Sequence, residues 1–227
     1  MINKNRKIAL CIMSGGMDST LGAYLMKSRG YEIIALHFNY GQRTFKRELQ
    51  AYTDIIKALD VKEHYEIDLD FFKQIGASAL TDMSLEVPTS GIEENSVPIT
   101  YVPFRNGIFI SIATAIAEKE GAQALCIGVV EEDSSGYPDC RDKYITSMEK
   151  SINLGTKDET KLTIEMPLVA LSKAQIVAKA LKLDVPLHLT WSCYKNEDKA
   201  CGECDSCRLR LNGFKLANVK DPIPYCD

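Results

Sequence analysis

Residues 14–19, Ser-Gly-Gly-Met-Asp-Ser, join an apolar run at 8–13 to a helical pattern that starts near residue 19. A strand, a glycine turn and a helix start gather free backbone N–H groups at a helix N-terminus, where the dipole favours an anion. Gly15 and Gly16 permit positive φ and carry no Cβ, so a phosphate can approach the backbone closely. Ser14, Ser19 and Thr20 add hydroxyl donors. This is not a Walker A loop, because it lacks both the G-x-x-x-x-G-K-[ST] spacing and a lysine. Asp18 stands in that region instead. An acid beside phosphates implies either a Mg²⁺ ion between them or hydrogen bonds that order the loop.

Cys193, Cys201, Cys204 and Cys207 form the second chemical cluster, with spacing C-x₇-C-x₂-C-x₂-C. Four thiolates make a closed tetrahedral site with no position left for water, which is structural rather than catalytic. One Zn²⁺ per chain is the first expectation, a 4Fe–4S cluster the second and a thiol–disulfide or sulfur-carrier role the third. Lys195, Lys199, Arg208 and Arg210 flank the cluster and either offset thiolate charge or form a solvated helix face. Cys11 and Cys126 fall inside strand patterns and read as core residues; Cys226 reads as incidental. Cys140 lies in a loop beside the expected site and either touches substrate or packs.

Three further stretches carry polar groups to the same edge. Tyr40-Gly41-Gln42-Arg43 follows the second strand, and Arg43 suits a phosphate or carboxylate. Val102-Pro103-Phe104-Arg105-Asn106 opens an apolar helix, where Arg105 is a good anion partner. Residues 131–142 follow a buried strand at the end where open α/β sheets bind ligands. His37 sits at a strand end on that edge, and His64 and His188 have no evident partners; all three read as structural or surface histidines.

The positioning elements alternate. Strands are expected at 8–13, 31–38, 64–69, 124–130 and 162–166. Helices are expected at 19–29, 45–59, 105–120, 142–154, 171–183 and 206–216, with a short one near 71–75. Gly30 and Gly121 close two of them. Ser172 and Gln175 form a capping box, with Leu171 and Ile176 as its hydrophobic staple. Residues 70–100 break the rhythm, and a long irregular segment of this kind reads as an active-site cover or a dimer contact. The pattern implies right-handed βαβ units in a doubly wound α/β sheet. Residues 1–227 are expected to form one domain, with the cysteine segment (190–213) as an appendage.

The chain carries a formal net charge of −4 and 45% apolar residues. Its acidic balance argues against a dedicated nucleic-acid binder. No apolar run reaches membrane-spanning length and the N-terminus lacks a signal-peptide core, so a cytoplasmic, membrane-free protein is expected.

The 14–19 motif resembles the pyrophosphate loop, S-G-G-x-D-S, of the N-type ATP pyrophosphatase superfamily. Taken with Y-G-Q-R at 40–43, V-P-F-R-N at 102–106, S-G-Y-P-D-C-R at 135–141 and C-G-E-C-D-S-C-x-L-R-x-N-G at 201–213, the chain resembles the 7-cyano-7-deazaguanine synthase family over residues 8–213. The last two motifs make the likeness specific. Met13, Met17 and Phe104 depart from it: the family often has Phe at the first position, Gln or Leu at the second, and Gly at the third.

The resemblance implies a mainly parallel, Rossmann-like sheet of the adenine nucleotide alpha hydrolase type, a Cys₄ zinc appendage and a homodimer. It implies ATP-dependent conversion of 7-carboxy-7-deazaguanine and ammonia to 7-cyano-7-deazaguanine. The ATP site would run through Met13, Ser14, Gly15, Gly16, Met17, Asp18, Ser19, Thr20, Leu21, Gly22 and Ala23, with Arg43. Tyr137, Asp139 and Arg141 would hold the deazapurine, and Asp18, Arg105, Asp139 and Arg141 would be the catalytic set. Two rival readings are a tRNA-thiolating ATP pyrophosphatase and a non-catalytic zinc-ribbon adaptor. The acidic balance and a closed cysteine site disfavour the first. The second leaves the 102–106 and 135–141 motifs without a purpose.

Overall fold

The computed structural model describes residues 7–89, 96–131 and 136–226. Part of the 131–142 loop, including Ser135, and part of the irregular 70–100 segment lie outside the described residues.

Five parallel strands, β1 (Ile8–Ile12), β2 (Glu32–Asn39), β3 (Glu63–Asp68), β4 (Ala124–Cys126) and β5 (Thr163–Glu165), stand in the order β3-β2-β1-β4-β5. The doubly wound expectation is therefore met. Between and after them run α1 (Met17–Ser28), α2 (Phe45–Ala58), α3 (Phe72–Ile75), α4 (Arg105–Glu120), α5 (Asp142–Gly155), α6 (Lys173–Lys182) and α7 (Asp205–Leu216).

Strand alternation sorts side chains by size. Ile8, Leu10, Ile12, Ile34, Leu36 and Phe38 join one core with Phe109, Ile110 and Ala113 of α4 and Ile145 and Ile152 of α5. Ala9, Cys11, Ala35, Ala124 and Cys126 face the other way, toward Ala23 and Met26 of α1 and Tyr52 and Ile55 of α2. Small residues on the second face let α1 and α2 approach closely; large ones on the first fill the space under α4 and α5. Cys11 and Cys126 are core residues, as expected. A third core joins Met17 and Leu21 of α1 to Ile176 and Val177 of α6 and Phe214 of α7. This core seats the C-terminal helices beside the start of α1.

Most boundaries shift from expectation by a residue or two, and two shifts have a clear physical reason. Helix α1 begins at Met17, two residues early, because Gly16 already serves as its N-cap. Strand β4 ends at Cys126 although residues 127–130 are largely buried. A Cβ on Gly128 would lie 2.8 Å from the Ser19 backbone nitrogen, so there the chain leaves the ladder to press against the first turn of α1. The capping box at Ser172 and Gln175 forms as predicted.

Phe104, the N-cap of α4, has φ 54° and is 51% exposed. A left-handed backbone strains any residue with a Cβ, so the position suits glycine. Phe104→Gly is expected to raise stability by about 1 kcal/mol, read as a higher urea midpoint. A lower midpoint would mean that the packing of the Phe104 ring against Tyr144 outweighs the strain.

Candidate active site

The carboxyl ends of β1 and β4 open into a cavity of ≈ 280 Å³. Its floor is the 14–19 loop. Gly15 alone of the glycine pair has positive φ (85°), and a Cβ there would sit 2.6 Å from the Glu48 carbonyl oxygen. Its own carbonyl accepts the Trp191 N–H at 2.9 Å. Ser14 and Ser19 tie the loop internally: the Ser14 N–H donates to Ser19 Oγ and the Gly16 N–H to Ser14 Oγ, both at 3.2 Å. The first turn of α1 leaves N–H groups without intrahelical acceptors, facing the cavity side.

Of the stretch expected to bind ATP, Ser14, Gly16, Met17, Asp18 and Ser19 line the cavity. Met13, Gly15, Thr20, Leu21, Gly22 and Ala23 do not. Met13, Thr20, Leu21 and Ala23 are buried in the fold, Gly22 abuts Cys126, and Gly15 is pressed against α2. His37 is structural, as expected: its Nδ1 pairs with the Met13 carbonyl at 2.9 Å, its ring stacks on Tyr52, and burial lowers its basicity. His64 and His188 are exposed.

Arg43 is a correction. Its guanidinium donates to the carbonyls of Ala79, Asp82 and Leu85, so it pins the 79–85 segment and does not line the cavity. Arg105 does line it. Its Nη1 donates to Tyr40 Oη at 3.1 Å, its guanidinium carbon lies over the Tyr40 and Phe109 rings, and Nε is buried without a partner among the described residues. Burial works against its charge, and the nearby Asp139 carboxyl offsets this.

The 135–141 motif divides. Tyr137 lines the cavity, with its hydroxyl donating to Thr100 Oγ1 at 2.8 Å. Asp139 is turned away: its Oδ2 accepts the Asn106 N–H at 2.9 Å, at the start of α4, and burial raises its carboxyl. Arg141 is exposed as the N-cap of α5 and does not line the cavity. Cys140 does line it, accepting from Asn106 Nδ2 at 3.2 Å; burial pushes its thiol up to about 11, which leaves it a poor nucleophile.

Sequence reasoning missed three groups. Lys173, the first residue of α6, reaches Asp18 Oδ2 at 2.6 Å and brings a cation to the loop. The capping box placed it at a helix start, but nothing local said that α6 would dock on α1. Glu48 lines the cavity from α2; burial raises its carboxyl to about 7 against hydrogen bonds from Thr44 and Gln42. Arg210, read as flanking the cysteines, is instead buried, with Nε and Nη2 donating to the Asp221 carboxylate and Nη1 to Thr190.

The Sγ atoms of Cys193, Cys201, Cys204 and Cys207 lie within 4.8 Å of one another. Four sulfurs about 2.3 Å from a tetrahedral ion sit roughly 3.8 Å apart, so modest contraction suffices to close the shell. Backbone N–H groups of Lys195, Asn196 and Cys201 already point at Cys193 Sγ, as they would at a thiolate. The donor set fits a structural metal.

A family model described as Queuosine biosynthesis protein QueC matches residues 8–218. The 7-cyano-7-deazaguanine synthase of Sulfurimonas denitrificans is 69% identical over 224 residues, 99% of this chain and all of that protein. Those of Sulfurovum sp. and Aliarcobacter butzleri are each 68% identical over 96% of this chain, covering 98% and 96% of those proteins. Among solved structures, the NMN synthetase of Francisella tularensis superposes with TM-score 0.51 at 18% identity, covering 96% of this chain and 80% of that one. A predicted tRNA methyltransferase subunit from Methanocaldococcus jannaschii gives 0.50 at 16%, covering 95% and 91%. These two likenesses speak to the fold alone. With its pyrophosphate-type loop, its cysteine cluster and near full-length identity to these synthases, the chain belongs to the 7-cyano-7-deazaguanine synthase family.

Proposed function

We propose that this chain is the ATP-dependent ligase that converts 7-carboxy-7-deazaguanine and ammonia to 7-cyano-7-deazaguanine. The observation that carries the reading is the 14–19 loop, held rigid at the end of β1 and opening with Lys173 and Arg105 into one cavity. A carboxylate oxygen cannot leave as it stands. Transfer of AMP to it makes it a leaving group, and ammonia displaces AMP to give the amide. A second adenylation, on the amide oxygen, allows loss of AMP and a proton to give the nitrile.

The protein's part is positioning and charge. The α1 N–H groups with Ser14 and Ser19 receive the pyrophosphate, and Lys173 adds a cation oriented by Asp18. Mg²⁺ would sit between Asp18 and the phosphates. Arg105 faces the carboxylate or the α-phosphate, and Tyr137 flanks the deazapurine. The four cysteines would hold one Zn²⁺ that clamps α7 and takes no part in the chemistry. Residues 1–227 act as one domain with 190–213 as its clamp. A homodimer is part of this reading, supported by exposed Phe71, Ile75, Met83, Val97 and Ile99 along the irregular segment. A cytoplasmic setting, free of membrane and nucleic acid, agrees with the acidic balance and with the finding that no helix among the described residues could cross a membrane.

Purified protein given ATP, Mg²⁺, ammonium and 7-carboxy-7-deazaguanine should form the nitrile, detected by mass. A folded, metal-replete sample that forms none would refute the reaction. Lys173→Ala should cut turnover roughly 100-fold while the thermal midpoint stays near that of the parent. An unchanged rate would remove Lys173 from the phosphate site. Metal analysis should return about one zinc per chain, and Cys204→Ser should lower the thermal midpoint first and turnover only as the fold is lost. A Cys204→Ser protein that is fully folded yet inactive would mean that the metal acts in the chemistry.

A further inference from the structure

The first turn of α7 forms part of the cavity wall through Asp205, Ser206 and Leu209. Asp205 is 7% exposed, and its Oδ1 is enclosed without a hydrogen-bond partner among the described residues. Arg208, on the same turn, donates to the Thr89 carbonyl instead. Two ordinary duties of such an acid are absent. An acid in a first helical turn can cap a free N–H, but the N-cap of α7 is Cys204 and no side chain caps there. A buried acid can answer a cation, as Asp221 answers Arg210 and Asp18 answers Lys173; no such ion pair to Asp205 is found among the described residues.

A carboxylate on a cavity wall whose enclosed oxygen has no donor among the described residues calls for donors from the ligand. We propose that Asp205 accepts the N1–H and 2-amino N–H of the deazaguanine and thereby sets the base specificity of the ligase. The inference rests on the function proposed above. A guanine-type edge presents two adjacent donors, which the two oxygens of a carboxylate receive in parallel. An adenine edge sets a ring-nitrogen acceptor beside its amino donor, and a carboxylate repels that acceptor. A cation site would need several oxygen ligands, and of the neighbouring α7 residues on the cavity wall Ser206 offers one hydroxyl while Leu209 and Arg210 offer none. Asp139, the acid expected at the deazapurine, also keeps an unpartnered Oδ1 among the described residues, but it gives Oδ2 to the start of α4 and does not line the cavity.

The test compares 7-carboxy-7-deazaguanine with its analogue lacking the 2-amino group, by calorimetric binding and by turnover, on the zinc-loaded protein. The parent should prefer the natural base by roughly tenfold or more. Asp205→Asn keeps one acceptor oxygen and sets an amide N–H₂ against a ligand donor. It should weaken binding of the natural base by roughly 100-fold and compress the preference to about twofold or less, with KM for ATP and for ammonium within about twofold. Asp205→Glu, which keeps the charge in case the amide fails to fold, should raise KM yet preserve the preference. A parent that does not discriminate, an Asp205→Asn protein that still does, or a change confined to the KM of ATP or ammonium would each overturn the assignment. A parent that prefers the 2-amino base in binding but forms no nitrile would overturn the reaction and leave the contact standing.

Discussion

The backbone at Gly15 and its neighbours is confined from three sides, and the site depends on that confinement. From α2, the Glu48 carbonyl leaves no room for a side chain on Gly15. From the end of β4, Gly128 presses on the backbone of Asp18 and Ser19. From the C-terminal region, the Trp191 N–H fixes the Gly15 carbonyl. A loop proposed to receive triphosphate charge does so best when its donors need not reorganise, and these contacts, made by residues that also line the cavity, supply that rigidity.

The same economy explains the C-terminal third. Arg210 and Asp221 are nearly inaccessible, and together with Thr190 they hold the segment that carries Trp191 and Cys193. The Thr44 hydroxyl, at the start of α2, donates to the Cys193 carbonyl, so the metal clamp and the helix behind the loop share a hydrogen bond. The cysteine cluster thus borders the cavity wall, between Tyr194 and Asp205, and is tied to the frame that shapes it.

The sheet, the loop and the cysteine set were legible in the sequence because each rests on local rules: apolar periodicity, glycine beside hydroxyls, and short ligand spacing. The substrate half was less legible. Asp139 and Arg141 have the right residue types, yet the short helical turn at Pro138–Cys140 aims one at a helix start and leaves the other exposed. Arg43 sits at the correct sheet edge but finds three carbonyls of a distant segment first. Lys173, Glu48 and Asp205 reach the cavity only through helix docking, which no local pattern records. Phe104 shows the reverse: its departure from glycine was visible in the sequence, and the left-handed backbone supplies the physical reason for the glycine.

The bond from Trp191 to Gly15 spans most of the chain. Synthesis runs from the N-terminus, and the nucleotide loop is among the first segments to leave the ribosome. Its last restraint, Trp191, arrives only long after the loop has been made, together with the cysteines and Asp221. A nascent chain therefore carries the loop's full sequence before the loop is fully restrained, and that restraint waits on the segment from Trp191 onward.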